Sequence, residues 1–159
     1  MPLYGDWDSL IAGVQSRVPA ILESDVAPIA ENILRSHIQS DIYGAYSPRP
    51  GGIFGGRFFR TAYSRRGGLP GSVMHKLSGD GNGFMLLITS DESANTPVIP
   101  GYSWGNSGLG AFLQLIEQGG WGAWRNGFSR PAVTNTQNEI NSSGAIQAAI
   151  RSGIKREIG

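Results

Sequence analysis

The chain has 159 residues, among them 24 glycines, nine prolines and no cysteine, and its net charge is +1. The lack of cysteine excludes a disulfide scaffold, thiolate metal sites and cysteine nucleophiles, and about one residue in five being Gly or Pro disfavours long uninterrupted helices. Charged residues make up 16% of the chain, against roughly 25% in an ordinary soluble domain, so this surface is expected to meet other protein.

One domain, 1–159, is expected at this length, with a core of its own. The charge is unevenly distributed. Residues 1–41 hold six acids and two bases, whereas 42–79 hold six bases (Arg49, Arg57, Arg60, Arg65, Arg66 and Lys76) and no acid. Such a dipolar arrangement suits contact with a polyanion or with the acidic part of a neighbouring copy, and a solvated loop has the same composition. The longest apolar run, FMLLI at 84–88, falls far short of the ~20 residues of a spanning helix. The start, MPLYGDWDSL, has neither the positive charge nor the apolar run of a signal peptide, so the chain is expected to be made in a cytoplasm and to stay soluble or assembled.

In chain order, Trp7, Leu10, Ile11, Val14 and Val18 fall at helical spacing behind Asp6, a candidate N-cap. Pro19 is expected to end or bend this helix. A second helical pattern runs to about Ser40, with Pro28 in its first turn behind a Ser24 or Asp25 cap, and with a stripe of Ile29, Ala30, Ile33, Leu34, His37 and Ile38. His37 lies on that stripe and reads as a packed histidine rather than a ligand. From Asp41 to Gly71 the pattern gives way to glycines, prolines and interleaved arginines and aromatics, where no helix is expected. This segment, 41–72, reads as an extended interaction loop that orders on assembly. Its Arg and aromatic mixture suits either base stacking or a protein interface.

The strongest local signal is a β-hairpin: SVMHKL, the turn SGDGNG, then FMLLITS, with DG and NG supplying the positive φ of a tight connection. The apolar second strand is expected to be buried on both faces under the long helix, and His75 to face solvent. Residues 91–108 read as loop with one extended piece from Val98 to Trp104. Leu109 to Gln118 reads as a short helix carrying Leu109, Phe112, Leu113 and Ile116 on one side. Glu117 in its last turn has the wrong sign for the helix dipole, so it is either held by a partner or a tolerated misplacement. Trp121, Trp124 and Phe128 precede an extended Arg130-Pro131 step. A C-terminal helix from about Ser143 carries Ile146, Ala149, Ile150, Ile154 and Ile158, and its other face (Ala145, Ala148, Ser152, Gly153) is small enough for another helix to approach closely.

Signals for chemistry are weak. The glycines at 51–56 and 67–71 lack the Gly-Lys-Ser/Thr of a phosphate loop, the two histidines lack metal-ligand spacing, and no GxSxG elbow marks a nucleophile. The pair Asp91 and Glu92 reads as solvated loop. No enzyme, cofactor, metal or catalytic residue is therefore expected.

Several motifs occur in a suggestive order: Ile42-Tyr43 with Tyr46, Ser47 and Pro48; Tyr63 to Leu69 (YSRRGGL); Leu115 to Gly119 (LIEQG); Arg130-Pro131 with Asn135-Thr136; and a closing Ala149, Gly153, Ile154, Lys155. Over residues 21–159 the chain resembles the neck or tail-completion proteins at the head-tail junction of long-tailed bacteriophages. Ala132 stands where that family has a phenylalanine. The resemblance implies an α+β fold in which a long N-terminal helix and a C-terminal helix pack on a small antiparallel sheet. It implies a non-enzymatic virion protein, assembled in the host cytoplasm, that forms a ring of copies with other neck, connector or tail-tube proteins near genomic DNA. The expected interface residues are Arg57, Phe59, Arg60, Tyr63, Arg65, Arg66 and Arg130. Three other readings are a minor capsid or decoration protein, a nucleic-acid binder using the basic 49–76 loop, and a hydrolase acting on cell wall or another polymer.

Overall fold

A computed structural model describes residues 7–44, 68–81, 83–91, 113, 117, 118 and 130–158. The chain is α+β. Helix α1 (Trp7–Ile21) runs into a π-helical turn, π1 (Leu22–Val26), then α2 (Ala27–His37) and a second π segment, π2 (Ile38–Gly44). A single turn, α3 (Gly68–Gly71), leads to strands β1 (Val73–Asp80) and β2 (Gly83–Ser90), and helices α4 (Ala132–Ser142) and α5 (Ala145–Ile158) follow.

Neither proline ends the N-terminal helix. A helical proline removes the N–H that would bond four residues back and crowds that carbonyl; here π1 lies between Pro19 and Pro28 and widens the spiral by one residue, with Ala27 N–H bonding Leu22 O. Ser24 does not cap α2: its hydroxyl donates back to Ala20 O at 2.7 Å. At the other end the helix reaches Gly44, and Gly68–Gly71 is helical as well. Both findings correct the expectation of a helix-free segment from 41 to 71, whose remaining residues, 45–67, lie outside the described ones. Asp6, the piece from Val98 to Trp104, and Trp121, Trp124 and Phe128 also lie outside them. Leu113 and Glu117 are helical, as the reading of 109–118 requires.

The core forms where α2 and π2 cross the hairpin base. Leu34, Ile38 and Ile42, one helical turn apart, pack with Leu69, Val73, Leu113 and Ala132, and Ile88 leans on the group. Ala132, where the resemblance expected phenylalanine, is thus a core position. A second contact joins α5 to α1 and π1: Ala149 and Gly153 are buried, and Gly153 lies against Ile21 and Asp25. Of the expected small face only Gly153 makes the close approach, with Ala145 half-buried and Ala148 and Ser152 exposed; Ala149 of the apolar stripe is buried beside it, and Ile146, Ile150 and Ile154 are half-buried. Arg156 secures this contact with a two-pronged pair to Asp25 (Nη1 to Oδ1 at 2.7 Å, Nη2 to Oδ2 at 2.9 Å), and Arg17 donates to Glu157 O. Hydrogen bonds from Arg156 and Ser24 hold the Asp25 carboxyl below its ordinary range.

Helix α4 was not foreseen. Its residues AVTNTQNEINS are mostly β-branched or short polar types with low helix propensity, and the preceding Arg-Pro step reads as extended. It begins directly at Ala132 and is separated from α5 by Ser143 and Gly144, the latter with a φ of +69°, a left-handed conformation that favours glycine.

Candidate functional site

The hairpin projects from the helical body. Its strands pair antiparallel from Val73↔Ser90 to Asp80↔Gly83, so only positions 81 and 82 form the link and the strands take in most of the expected turn. Val73, His75, Leu77 and Gly79 share one face with Ser90, Ile88, Leu86 and Phe84. At the base this face meets α2. Glu31 accepts from His75 Nδ1 at 2.8 Å and from Arg35 Nη2 at 2.7 Å; Arg35 also donates to Pro70 O at 3.3 Å and Val73 O at 3.2 Å. Burial alone would raise the Glu31 pKa, but the hydrogen bonds from His75 and Arg35 outweigh it and hold it below the usual range. His75 therefore turns toward the helix rather than to open solvent, correcting the sequence reading.

Toward the tip the strands leave the helix behind. Ser90 and Thr89 are buried, yet Phe84 is 43% exposed, Met85 62% and Leu87 46%. The expectation that the apolar strand is buried on both faces holds only at its base, because α2 covers a few residues of one face and nothing described covers the rest. Phe84 lies across Gly79, where a Cβ would stand 2.7 Å from the ring. A second exposed apolar pair, Trp7 and Ile11, sits on α1, whose Leu10, Val14 and Val18 are half-buried.

Of the expected interface residues, Arg57, Phe59, Arg60, Tyr63, Arg65 and Arg66 lie outside the described residues. Arg130 is half-buried just before α4, where its carbonyl accepts from Ala132 N–H at 2.8 Å. The acidic N-terminal region is partly occupied within the chain: Asp25, Glu31 and Asp41 all have partners, while Asp8 and Glu23 are exposed.

Glu117 has its partner in the same chain. Its carboxylate accepts from Val133 N–H at 3.1 Å and Thr134 N–H at 3.0 Å, and from the Thr134 hydroxyl, so it caps the N-terminus of α4, where a negative charge is favourable. The sequence signal was the misplaced charge itself. Replacing Glu117 by alanine is expected to cost about 1 kcal/mol, the usual value of a cap, and to speed hydrogen exchange at Val133 and Thr134 above all; unchanged exchange there would contradict the capping role.

His37 bridges two elements. Nδ1 stands 2.9 Å from Asp41 Oδ2 in π2 and Nε2 2.9 Å from Glu139 Oε2 in α4. Asp41 also accepts from Ser40 Oγ at 2.7 Å and Asn135 Nδ2 at 3.0 Å. Burial would raise the Asp41 pKa, but these hydrogen bonds and that from His37 together lower it. The ring nitrogens point in opposite directions, so the three groups do not converge on one point as metal ligands would. A shallow open depression of about 420 Å³ lies beside them, lined by Ile29, Asn32, Ile33, Ser36, His37, Ser40 and Glu139. Among the described residues no helix is long and apolar enough to cross a membrane.

These features define a small α+β protein that carries an apolar hairpin on a helical body. A family model described as YomN matches residues 6–156. The chain belongs to this family, which is phage-derived, and is thus a phage-associated protein. No curated protein and no solved structure matches it.

Proposed function

We propose that the chain is a structural virion protein of the phage neck, where copies join in a ring that completes the tail at the head-tail interface. The observation that carries this reading is the projecting hairpin, with Phe84, Met85 and Leu87 exposed at its free half while Glu31 and Arg35 fix its base to α2. Phe84 lies on one face and Met85 and Leu87 on the other, so both sides of the free half are apolar and open, and exposed apolar groups of this size mark surfaces made to be covered. A projecting element that fits an unlike surface on the next copy makes a heterologous contact, and such contacts form a ring when the rotation from copy to copy closes. The phage-derived family and the low charge of the chain agree with an assembly role. On this reading Arg57, Arg60, Arg65, Arg66 and Arg130 contact an adjacent subunit or another neck protein, with Phe59 and Tyr63 as apolar anchors.

The test is a phage or induced prophage lacking this gene, complemented by the natural chain or by a Met85→Lys, Leu87→Lys variant. Loss of the gene is expected to leave filled heads and tails unjoined, and a tagged natural chain to be found at the neck. The variant changes only exposed residues, so its stability should change little, about 0.5 kcal/mol or less, while its incorporation into particles falls at least tenfold. Normal tailed particles without the gene, or a tag spread over the capsid faces, overturns the neck reading.

A further inference from the structure

We propose that His37 is a pH-sensitive latch that holds α4 against the long helix through its second ring proton. Both acceptors facing the ring are carboxylates: Asp41 from π2 and Glu139 from α4, each at 2.9 Å. Carboxylates only accept, and a neutral imidazole carries one N–H, so both bonds are made only by the imidazolium with its two donors. Histidine is the side chain whose charge changes between pH 5 and 8.

The two sides of the ring differ in what remains when that proton leaves. Asp41 keeps its bonds from Ser40 and Asn135 and retains its place. Glu139 is 48% exposed at its side chain and can turn to water. Deprotonation therefore selects the Nδ1–H tautomer on Asp41 and leaves a ring lone pair facing Glu139, which moves away.

Helix α4 is the element built to respond. Only Ala132 and Thr136 are buried along it, its sequence has low helix propensity, and beyond the core contact of Ala132 its docking relies on polar contacts: the Glu117 cap, Asn135 on Asp41, and His37 on Glu139. An element with so few apolar contacts opens at low cost, and one bond is a sizeable share of what holds it. This inference does not depend on the neck reading, since it concerns the folded chain alone.

Amide hydrogen exchange of the full chain at pH 6 and pH 8.5, each corrected for the intrinsic rate, tests it. Protection across residues 136–140 is expected to fall about threefold at the higher pH, the scale of one partly exposed charged pair, while β1 and β2 keep theirs. Glu139→Gln should abolish this pH dependence, because an amide can accept from the imidazolium or donate to the neutral ring; His37→Gln should abolish it too. Should His37→Gln fail to fold, the exposed Glu139→Gln carries the test. Protection of α4 that does not vary with pH in the natural chain, or that varies equally in Glu139→Gln, overturns the latch.

Discussion

Truncating Ile38 to alanine is expected to lower the stability of the fold by about 3 kcal/mol, within the range of about 2–5 kcal/mol for removing a large buried aliphatic side chain. Ile38 is 0% exposed and stands at the junction of α2 and π2, with Leu34 and Ile42 one turn away on either side and Leu69, Val73, Leu113 and Ala132 in the same cluster. Its neighbours come from five separate stretches of chain, so a vacated side chain cannot be filled by the shift of any one of them. Its backbone N–H is shared between Arg35 O and Leu34 O, which ties it to the point where the helix changes pitch and further limits relaxation. The same truncation at Ile29, half-buried beside the open depression, should cost far less. Urea unfolding followed by circular dichroism reads both; near-equal costs at the two positions would mean that the cluster around Ile38 is not the core.

Gly153→Val is expected to be comparably damaging for the opposite reason. A Cβ at this position would lie 2.6 Å from Ile21 Cγ2, 3.2 Å from Ile21 Cγ1 and 3.1 Å from Asp25 Oδ2. Ile21 is 3% exposed and has nowhere to swing. Overpacking of this kind costs about 1–3 kcal/mol, and pushing α5 outward also strains the pairs of Arg156 with Asp25 and of Arg17 with Glu157 O. Gly153→Ala is the more discriminating variant. Alanine gains up to about 1 kcal/mol in helix propensity, so its net effect depends on whether Ile21 yields. In a chain that already carries Ile21→Ala the two contacts with Ile21 are gone and only the milder one with Asp25 Oδ2 remains, so Gly153→Ala should become neutral or stabilising. The resulting double-mutant coupling, read from thermal midpoints, is positive if the two groups touch; simple additivity of the two substitutions would refute the close approach of α5 to the end of α1.

The clustered turn residues marked the hairpin, and Asp80 and Gly83 bracket its two-residue link, but Gly81 does not take the positive φ expected of the Asp-Gly pair: among the described residues only Gly144 does. The stripes of α2 and α5 were marked by spacing, since a helix presents the same face every three to four residues. Pro28 sits in the first turn of α2 as read, though without a Ser24 or Asp25 cap, whereas Pro19 misled as a helix end: a π turn between the two prolines preserves the spiral at the cost of one wider turn, a compromise that tertiary burial of Val26, Ala27 and Ala30 stabilises. Helix α4 left no strong local trace because what holds it lies elsewhere: the cap comes from Glu117, sixteen residues before Val133, and its docking partners from His37 and Asp41.

The expected interaction arm and the hairpin show the same division. Composition alone concentrates arginine and aromatic residues between 42 and 79 and assigns that segment to contact with neighbours. It gives no indication that FMLLI is open at its tip, because an apolar strand looks identical whether a helix covers all of it or only its base. Likewise the excess acid of residues 1–41 reads as a free surface until Arg35, His37, His75 and Arg156 are found paired with Glu31, Asp41 and Asp25.

By itself the sequence determined that helices flank a β-hairpin between residues 72 and 90 and which residues form the apolar stripes of α2 and α5, because periodicity and turn residues act within a few positions. Only the tertiary structure decided that the N-terminal helix continues through two prolines to Gly44, that Glu117 and His37 hold α4, and that the hairpin presents Phe84, Met85 and Leu87 outward. Each of these depends on groups far apart along the chain, and the free energy of such contacts exists only once the fold has brought them together.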